Sequence, residues 1–497
     1  MSLIESGNGL DARPRLLAAL PRGEAIRNFV YSGILDAIAE SVDLEVATVL
    51  PNDELAELLR SLYGDILPLE PWRDRWGVGA IRELLDLAHG RWVWSEAAQE
   101  RWRLRNLEAT TARARVNRAA KRTAARVLAR PSGLSLLERA YDGASARWPS
   151  SRVFRERLAA SPPSLVFNAS QVHGETVRGL ITAARSLAIP TAAFLFSWDN
   201  LTSQGRIIPS YDCYLAWSET MRDDLLRMYP SVDPAAVFVT GTPQFDAHFR
   251  TEHAWSREEY CGRIGADPER PIVLYSTGMP NHMPGEPSIV EGIADRLARR
   301  GDLGRPQLVV RVYAKDRTGR FHDLARRRPD IIFPPVPWEP NWLTPLPEDT
   351  ALWSNILRHA DVGINVASTV SLELCMFDRP VVNVGYNPPG VPTWQLDYSR
   401  YYRFDHYRPV VASGAVEVAS SPDSLMDAVA QAISRPSLCS PMRQQLLARL
   451  FGEHLDGKAR QRVAERLVEL TTAAGSMQTL RRSGTSEPRG SAAPSRT

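Results

Sequence analysis

Residues 362–384 read VGINVASTVSLELCMFDRPVVNV and carry the clearest indication of the fold. Its two ends, 362–366 and 380–384, are β-branched apolar runs, which is typical of strands buried on both faces of a parallel sheet. A helical pattern lies between them, and parallel neighbours need such a crossover connection. The stretch therefore predicts a strand–helix–strand unit in a parallel sheet that is covered by helices.

The same alternation continues on both sides of this unit. In the second half of the chain, further strands are predicted at 272–276 (IVLYS), 307–312 (QLVVRV) and 331–333. In the first half, strands are predicted at 16–20, 45–50, 164–168 (SLVFN), 191–196 (TAAFLF), 213–216 (CYLA) and 237–240 (VFVT). A chain of 497 residues is too long for one hydrophobic core. We therefore predict an α/β protein with two Rossmann-like, doubly wound parallel-sheet domains, 1–260 and 261–472, that face a cleft. The polar residues 473–497 are predicted to be a disordered tail.

Residues 72–157 interrupt this alternation. They are rich in Arg, Ala and Trp, show no obvious strand and predict a basic helical insertion in the first domain. Residues 101–130 hold nine arginines and Lys121 against one acid, Glu108. A solvated helix face explains this charge. The alternative is docking of residues 92–130 on an anionic membrane surface, since three tryptophans lie on or near this segment, namely Trp92, Trp94 and Trp102.

The composition argues against several classes of protein. A net charge of +3 is small for a nucleic-acid binder. The four cysteines lie far apart, so neither a disulfide framework nor a zinc site is expected. The chain has no Walker loop, no GxGxxG after a predicted strand, no HExxH and no GxSxG elbow. No run approaches the roughly 18 apolar residues of a membrane span, and we expect a cytoplasmic protein.

Hydroxyl and acidic residues follow the strand at 362–366. Ser368 and Thr369 open the next helix, where free backbone N–H groups and the helix dipole favour phosphate. Glu373 lies on that helix at a spacing that a capping box does not explain, and we assign it to the ribose hydroxyls of a nucleotide. The alternative is N-capping by Ser368 with an exposed acid at 373.

Cations and a glycine turn follow two other strands of the second half. Arg311 and Lys315, at the end of the strand at 307–312, offer positive charges for a diphosphate. A surface ion pair with Asp316 is the alternative. Thr277 and Gly278 follow the strand at 272–276, where glycine lets a backbone N–H approach a ligand closely. An ordinary tight turn is the alternative.

The first half carries the candidates for the acceptor site. Trp198, Asp199 and Asn200 follow the strand at 191–196 and are expected to position a hydroxyl acceptor, with Asp199 as the general base. Asp-Asn is also a common turn pair, which is the alternative. His173 and Glu175, after the strand at 164–168, are the rival bases, with helix capping as the alternative role.

Three motifs resemble those of a known group of enzymes. GTPQFD (241–246), STVSLELCMFDRPVVNV (368–384) and LDGKARQRVAERL (455–467) occur in the order found in GT-B nucleotide-sugar transferases. Within that group the chain resembles the bacterial CDP-glycerol glycerophosphotransferases and surface-polysaccharide transferases. FSWDNLTSQGR (196–206) and FDHYRPVVASGAVEVASSP (404–422) resemble motifs of a less characterised subgroup. The chain has Tyr313 where glycerophosphotransferases tend to place a His, which favours glycosyl transfer over polyol-phosphate transfer.

The resemblance implies a metal-independent GT-B glycosyltransferase that moves a sugar from a nucleotide-diphosphate donor to a hydroxyl acceptor, in cell-surface polysaccharide or glycoconjugate synthesis. It also implies that the motif at 455–467 opens a final helix of the second domain that crosses back to the first. Its expected partners are a nucleotide-sugar donor, which is a substrate, and a glycan or lipid-linked acceptor. No cofactor, metal or nucleic acid is expected. A CDP-glycerol-type glycerophosphotransferase, a nucleotide-sugar 2-epimerase-like enzyme and a non-catalytic GT-B-like scaffold remain alternatives. Peripheral contact with the inner face of the membrane is the alternative to a purely cytoplasmic location.

Overall fold

Two parallel β-sheets organise the protein. The structure, a computed structural model, describes residues 13–49, 52–70, 76–339, 344–392 and 396–483. The first sheet comprises β1 (Arg15–Leu20), β2 (Asp43–Thr48), β3 (Ile66–Pro68), β4 (Leu165–Asn168), β5 (Thr191–Phe194), β6 (Cys213–Ala216) and β7 (Val237–Val239). Its strands lie in the order β3-β2-β1-β4-β5-β6-β7, and all neighbours are parallel.

The second sheet repeats this architecture with six strands. Its first three strands are β8 (Ile272–Ser276), β9 (Gln307–Arg311) and β10 (Ile331–Ile332). A separate antiparallel pair follows, β11 (Trp338–Glu339) with β12 (Thr344–Pro345), and the sheet resumes with β13 (Val362–Asn365), β14 (Val381–Val384) and β15 (Val416–Ala419). The order is β10-β9-β8-β13-β14-β15, again all parallel. The prediction of two doubly wound domains is confirmed.

The central strands are buried along their whole length, as their uninterrupted apolar sequences predicted. This holds for β4, β5, β8, β9, β13 and β14. The sequence analysis did not predict β3, β15 or the β11–β12 pair. These strands have two to four residues, and β3 and β15 lie at the edges of their sheets with partly exposed side chains. Such short edge strands lack the continuous apolar run that marks a central strand.

Helices cover both sheets. Those of the first half are α1 (Gly23–Ile26), α2 (Ile34–Ala39), α3 (Asp53–Tyr63), α4 (Trp76–Val93), α5 (Glu96–Leu107), α6 (Ala112–Leu128), α7 (Pro131–Ser145), α8 (Pro149–Ala160), α9 (Gly174–Ser186), α10 (Asn200–Ser203), α11 (Glu219–Met228) and α12 (Pro243–Asp246). Those of the second half are α13 (Arg257–Ile264), α14 (Glu286–Leu297), α15 (His322–Arg327), α16 (Pro347–His359), α17 (Val370–Met376), α18 (Arg408–Ala412), α19 (Pro422–Ser434), α20 (Ser440–Phe451) and α21 (Ala459–Ser483).

Helices α4 to α8 form the predicted basic insertion. They have a small core of their own, which includes Leu85, Trp102 and Tyr141. Trp102 is therefore buried and does not serve the membrane contact suggested by its neighbourhood. Part of the positive charge is paired within the insertion, for example Lys121 with Glu83 at 2.5 Å. Among the helices of the described residues, none combines the length and the apolarity needed to cross a bilayer.

The final helix α21 crosses back to the first domain. Both carboxylate oxygens of Asp246, in the GTPQFD motif, accept from backbone N–H groups at its start: Ala459 at 3.1 Å and Arg460 at 2.7 Å. Further along, Gly475 packs so closely on Pro14 that a Cβ there would lie 3.1 Å from the proline Cβ. Because it packs on the first domain, the helix continues to Ser483, beyond residue 473, where we expected a disordered tail to begin. Residues 484–497 of that tail lie outside the described residues.

The substitution Asp246→Asn is expected to loosen this helix. Asp246 is 4% exposed, and an amide in its place turns an N–H donor towards backbone donors. We expect a loss of about 1–3 kcal/mol in the free energy of unfolding, measured with urea. The exposed Asp223→Asn is the matched control and should unfold like the parent. Equal stability of Asp246→Asn and the parent would contradict the capping role.

Candidate functional site

The two sheets present their switch points to each other. In an open parallel sheet, ligands bind beyond the carboxyl ends of strands, where the strand order reverses. In the first sheet this point lies between β1 and β4, and in the second between β8 and β13. The loops at these points carry Glu24, His173, Thr277 and Thr369. The topology thus selects a small part of the chain as the candidate site.

An ion pair joins the domains at this place. Glu24, directly after β1, is 3% exposed and pairs with Lys315, which follows β9 in the other domain. Burial, the largest single influence, raises the pKa of Glu24, but the Lys315 ammonium and the other positive groups nearby together outweigh it and hold the pKa below its usual range. The domains also pack closely here. A Cβ atom added to Gly23 would lie only 2.2 Å from Thr344 Oγ1, so a larger residue does not fit at this position. The site is therefore a closed one, with a carboxylate and an ammonium face to face.

His173 lies beside this pair. Burial, together with the charges of Arg22 and Lys315, lowers the pKa of His173 to about 3, although Glu24 acts in the opposite direction. The imidazole is therefore neutral at physiological pH. Its Nδ1 lies 2.7 Å from Ser170 Oγ, and in the tautomer that donates to this oxygen, Nε2 carries the lone pair. A neutral imidazole can accept a proton, but with a pKa of about 3 it is a weak base in this arrangement, because burial and the neighbouring cations oppose its protonation.

Tyr313 completes this cluster from the second domain. Burial and the nearby Glu24 carboxylate raise the pKa of Tyr313 to about 12, so its phenol is protonated.

Lys315 is one of only three lysines in the chain, which has 60 lysines and arginines in all. A lysine presents a compact point charge on a flexible stem, whereas arginine presents a fixed fork.

The FSWDN and FDHY motifs meet across the domain boundary. Trp198 donates from its indole N–H to Thr369 Oγ1 at 3.1 Å, and its ring packs on that of His406 at 5.3 Å. Thr202 Oγ1 lies 2.8 Å from His406 Nδ1. Two segments about 200 residues apart in sequence thus form one contact surface, which sequence alone did not reveal.

The turn after β13 keeps the hydroxyl groups at the site. Asn365 Oδ1 accepts from the N–H and the hydroxyl of Ser368, at 3.3 and 3.2 Å. Ala367 has a φ of +37°, a strained value that bends the chain sharply after the strand. Thr369 precedes α17 without capping it, since its hydroxyl accepts from Trp198 instead. Ser368 and Thr369 therefore lie at the domain boundary as predicted, but Trp198 shares that place.

Two of the residues predicted to bind the nucleotide donor have other partners in the structure. Arg311 is 6% exposed and forms a buried ion pair with Asp349, so neither a diphosphate nor Asp316 is its partner. Glu373 is 4% exposed and accepts from Trp353 Nε1 at 3.1 Å, with His248 Nε2 also at 3.1 Å, which leaves no open carboxylate for a ribose. Both side chains hold elements together. The alternative, an N-cap by Ser368 with an exposed acid at 373, is not observed either, since no side chain caps α17 and Glu373 is buried.

The turn after β8 is an internal network. Thr277 Oγ1 accepts from the Tyr313 N–H at 2.8 Å, and the Gly278 N–H donates to Glu286 at 3.0 Å. Burial raises the pKa of Glu286 to about 7, and Arg320 pairs with it at 2.7 Å. The Gly278 N–H therefore serves the fold, and Thr277 supports Tyr313 from behind.

Among the residues predicted for the acceptor site, some have structural partners and one lies at the domain boundary. Asp199 accepts from Ser197 Oγ at 2.5 Å and from Ser203 Oγ at 2.8 Å, the pattern of a turn. Asn200 is buried and accepts from the Ser197 N–H at 3.0 Å. Glu175 pairs with Arg82 of the insertion at 3.3 Å, and its side chain is 63% exposed. Of the three candidate bases, His173 is the one that the structure places beside the ion pair between the domains. Within the described residues, no group of three or more His, Cys, Asp or Glu could hold a metal ion.

No protein-family model matches the sequence, and no curated protein is a detectable relative. Among solved structures, UDP-GlcNAc 2-epimerase from Neisseria meningitidis bound to UDP-GlcNAc is similar, with a TM-score of 0.52 at 12% identity over 92% of this chain and 100% of that one. UDP-GlcNAc 2-epimerase from Methanocaldococcus jannaschii has a TM-score of 0.51 at 14% identity over 92% and 99% of the two chains.

The chain has a GT-B-like fold. At this identity the likeness shows the fold alone, and the similarity to CDP-glycerol transferases finds no support in it. Glu24 and Arg22 were missed by the sequence analysis, because Pro-Arg-Gly-Glu matches no motif. Their position directly after the first strand was the one available signal, since ligand sites lie at strand ends.

Proposed function

We propose that the protein is a glycosyltransferase that moves a sugar from a nucleotide-diphosphate donor to a hydroxyl acceptor. The observation that carries this proposal is the cluster of Glu24, His173 and Lys315 between two facing switch points. It combines a cation for a leaving diphosphate with a neutral base for a hydroxyl. The UDP-GlcNAc bound in the similar Neisseria enzyme supports a nucleotide sugar as the donor.

Each group of the cluster has its own role in the proposed sugar transfer. The acceptor oxygen bonds to the anomeric carbon while the bond from that carbon to the diphosphate oxygen breaks, and the diphosphate leaves with the electron pair. The acceptor proton passes to His173 Nε2. Lys315, with the hydroxyls of Ser368 and Thr369, stabilises the charge on the leaving group. In the closed form Glu24 holds Lys315, so donor binding replaces one anionic partner of Lys315 by another.

A nucleotide-sugar 2-epimerase is the second candidate. The specific observation in its favour is that the similar solved structures are UDP-GlcNAc 2-epimerases whose chains match almost in full. An epimerase converts the donor without any acceptor, whereas a transferase releases nucleoside diphosphate only when an acceptor is present. Tyr313, in place of the expected His, gives no support to glycerophosphate transfer.

Donor binding by Lys315 provides the test. The parent protein is screened by thermal shift against UDP-, GDP-, CDP-, dTDP- and ADP-linked sugars, because a binder raises the apparent stability by mass action. Lys315→Met should weaken binding of the donor so identified by about tenfold or more, since it removes a charged contact to the diphosphate. Lys458 is exposed and does not belong to this cluster. Lys458→Met is therefore the control and should bind the donor like the parent.

Three outcomes would count against the proposal. If no nucleotide sugar shifts the melting temperature, the scaffold alternative is favoured. If Lys315→Met binds the donor like the parent, Lys315 has no part in the donor site. If the purified protein converts UDP-GlcNAc to its 2-epimer without acceptor, the epimerase is the correct assignment.

A further inference from the structure

A cavity lies apart from the cluster between the domains. It has a volume of about 320 Å³ and lies between the helical insertion and the loops of the first sheet. Two loops contribute to it, through Gln171, Val172 and Gly174 on one and Asn200 and Gln204 on the other. The charged side chains that line it are five arginines and one acid, namely Arg82, Arg101, Arg105, Arg178, Arg206 and Asp86. Such a lining is unusual for a cavity inside a domain, because like charges repel more strongly away from water.

Some of this charge is balanced by carboxylates. Arg206, with a side chain 5% exposed, pairs with Glu138 at 2.6 Å and lies 4.5 Å from the ring centroid of Tyr229. Arg82 pairs with Glu175. Asp86 accepts from the Arg206 N–H at 3.0 Å.

Two of the lining arginines lie on one helix. Arg101 and Arg105 are four residues apart on α5, so they lie on the same helix face. Arg101 donates to a neutral group, the Gln204 carbonyl, at 2.9 Å, and its Nε is buried without an acceptor among the described residues. Burial lowers the pKa of Arg101, and the neighbouring Arg105 charge lowers it further. An anion between these two side chains would relieve the repulsion.

A buried arginine completes the cavity from the opposite side. Arg178, on α9, is 1% exposed and lies 5.6 Å from the ring centroid of Tyr141. Its guanidinium adds to the positive lining of the cavity. Phosphate suits such a place better than a single carboxylate, because its oxygens accept from several arginine forks at once.

We propose that this pocket binds the phosphate group of a phosphorylated acceptor. The proposal rests on the proposed transferase function, for which the pocket supplies a second substrate site. The cavity volume lies at the lower end of the range for small-molecule sites, which is enough for a phosphate and a neighbouring sugar-sized group. The loops that line it also carry His173 and Asp199, so a molecule anchored here lies against the backbone that holds the candidate base.

Calorimetry on the full-length protein tests the proposal. The probes are inorganic phosphate, glucose 6-phosphate, and phosphatidylcholine vesicles with and without phosphatidic acid. We expect the double variant Arg101→Gln/Arg105→Gln to bind the effective probe at least about tenfold more weakly than the parent, because it loses two charged contacts to one anion. Arg113→Gln, on the exposed face of α6, is the matched control and should bind like the parent. Far-UV circular dichroism and the melting temperature check that each variant is folded.

Each outcome has a defined meaning. Saturable binding of glucose 6-phosphate that the double variant loses supports a soluble phosphorylated acceptor. Binding of phosphatidic acid vesicles alone, lost in the same variant, supports a lipid-linked one. Absence of binding to all three probes, or equal affinity in parent and double variant, overturns the proposal. Loss of phosphate binding in Lys315→Met but not in the double variant would place the phosphate in the cleft and also overturn it. Nucleotide-sugar binding is measured in parallel, so failure of the pocket can be told from failure of the proposed function.

Discussion

Replacement of His173 by Asn should lower turnover by about 10²–10⁴-fold, the usual contribution of a general base. Asn retains a hydrogen-bonding group near the position of Nδ1, so the contact with Ser170 is kept while the basic Nε2 is lost. Because the residue acts on the acceptor, the affinity for the donor should stay the same. Release of nucleoside diphosphate, followed with a saturating donor and a panel of acceptors, measures this effect.

Asp199→Asn provides the comparison. Asp199 accepts from two serine hydroxyls of its own turn, so we expect its substitution to affect turnover much less than that of His173. If Asp199→Asn abolishes turnover with normal donor binding while His173→Asn remains active, Asp199 is the base and the assignment of His173 is wrong. Glu175→Gln should have little effect, since this carboxylate is exposed and paired with Arg82.

Replacement of Arg311 by Met should destabilise the protein by about 3–5 kcal/mol, the usual effect of breaking a buried ion pair from one side. Its partner Asp349 is 5% exposed, and among the described residues its remaining side-chain donor is the indole N–H of Trp338, at 2.7 Å. Unfolding in urea, followed by tryptophan fluorescence, measures the loss.

A double variant distinguishes this effect from a role in donor binding. Arg311→Met/Asp349→Asn removes both charges, so it should recover part of the lost stability. Arg326→Met breaks an ion pair with Asp323 whose side chains are 79% and 77% exposed, and it should change stability little. If Arg311→Met is as stable as the parent and binds the donor weakly, then Arg311 is a donor ligand and the structural assignment fails.

The central strands could be predicted because their signal is local. A run such as 272–276 is buried on both faces, and each residue of the run carries that information itself. The edge strands β3 and β15 could not be predicted in this way, since each is short and has one exposed and one half-buried residue. The crossing helix was implied by the resemblance, but its attachment at Asp246, 213 residues before Ala459, became visible only in the fold.

The candidate site was predicted only in part. Ser368, Thr369, Lys315 and His173 were placed correctly at strand ends, and the structure brings them to the domain boundary. Arg311 also ends its strand as predicted, but its side chain pairs with Asp349, 38 residues further along. A side chain at the end of a central strand can turn inward as easily as outward, and the sequence does not show which.

By itself, the amino-acid sequence determined the α/β class, the two doubly wound halves and the basic insertion, because apolar periodicity reports burial residue by residue. The tertiary structure alone decided which charges pair with which, and so which of them remain for a ligand. Glu24 with Lys315 and Arg311 with Asp349 are pairs between distant segments. A Coulomb interaction depends on the distance through space, and no local pattern in the chain encodes that distance.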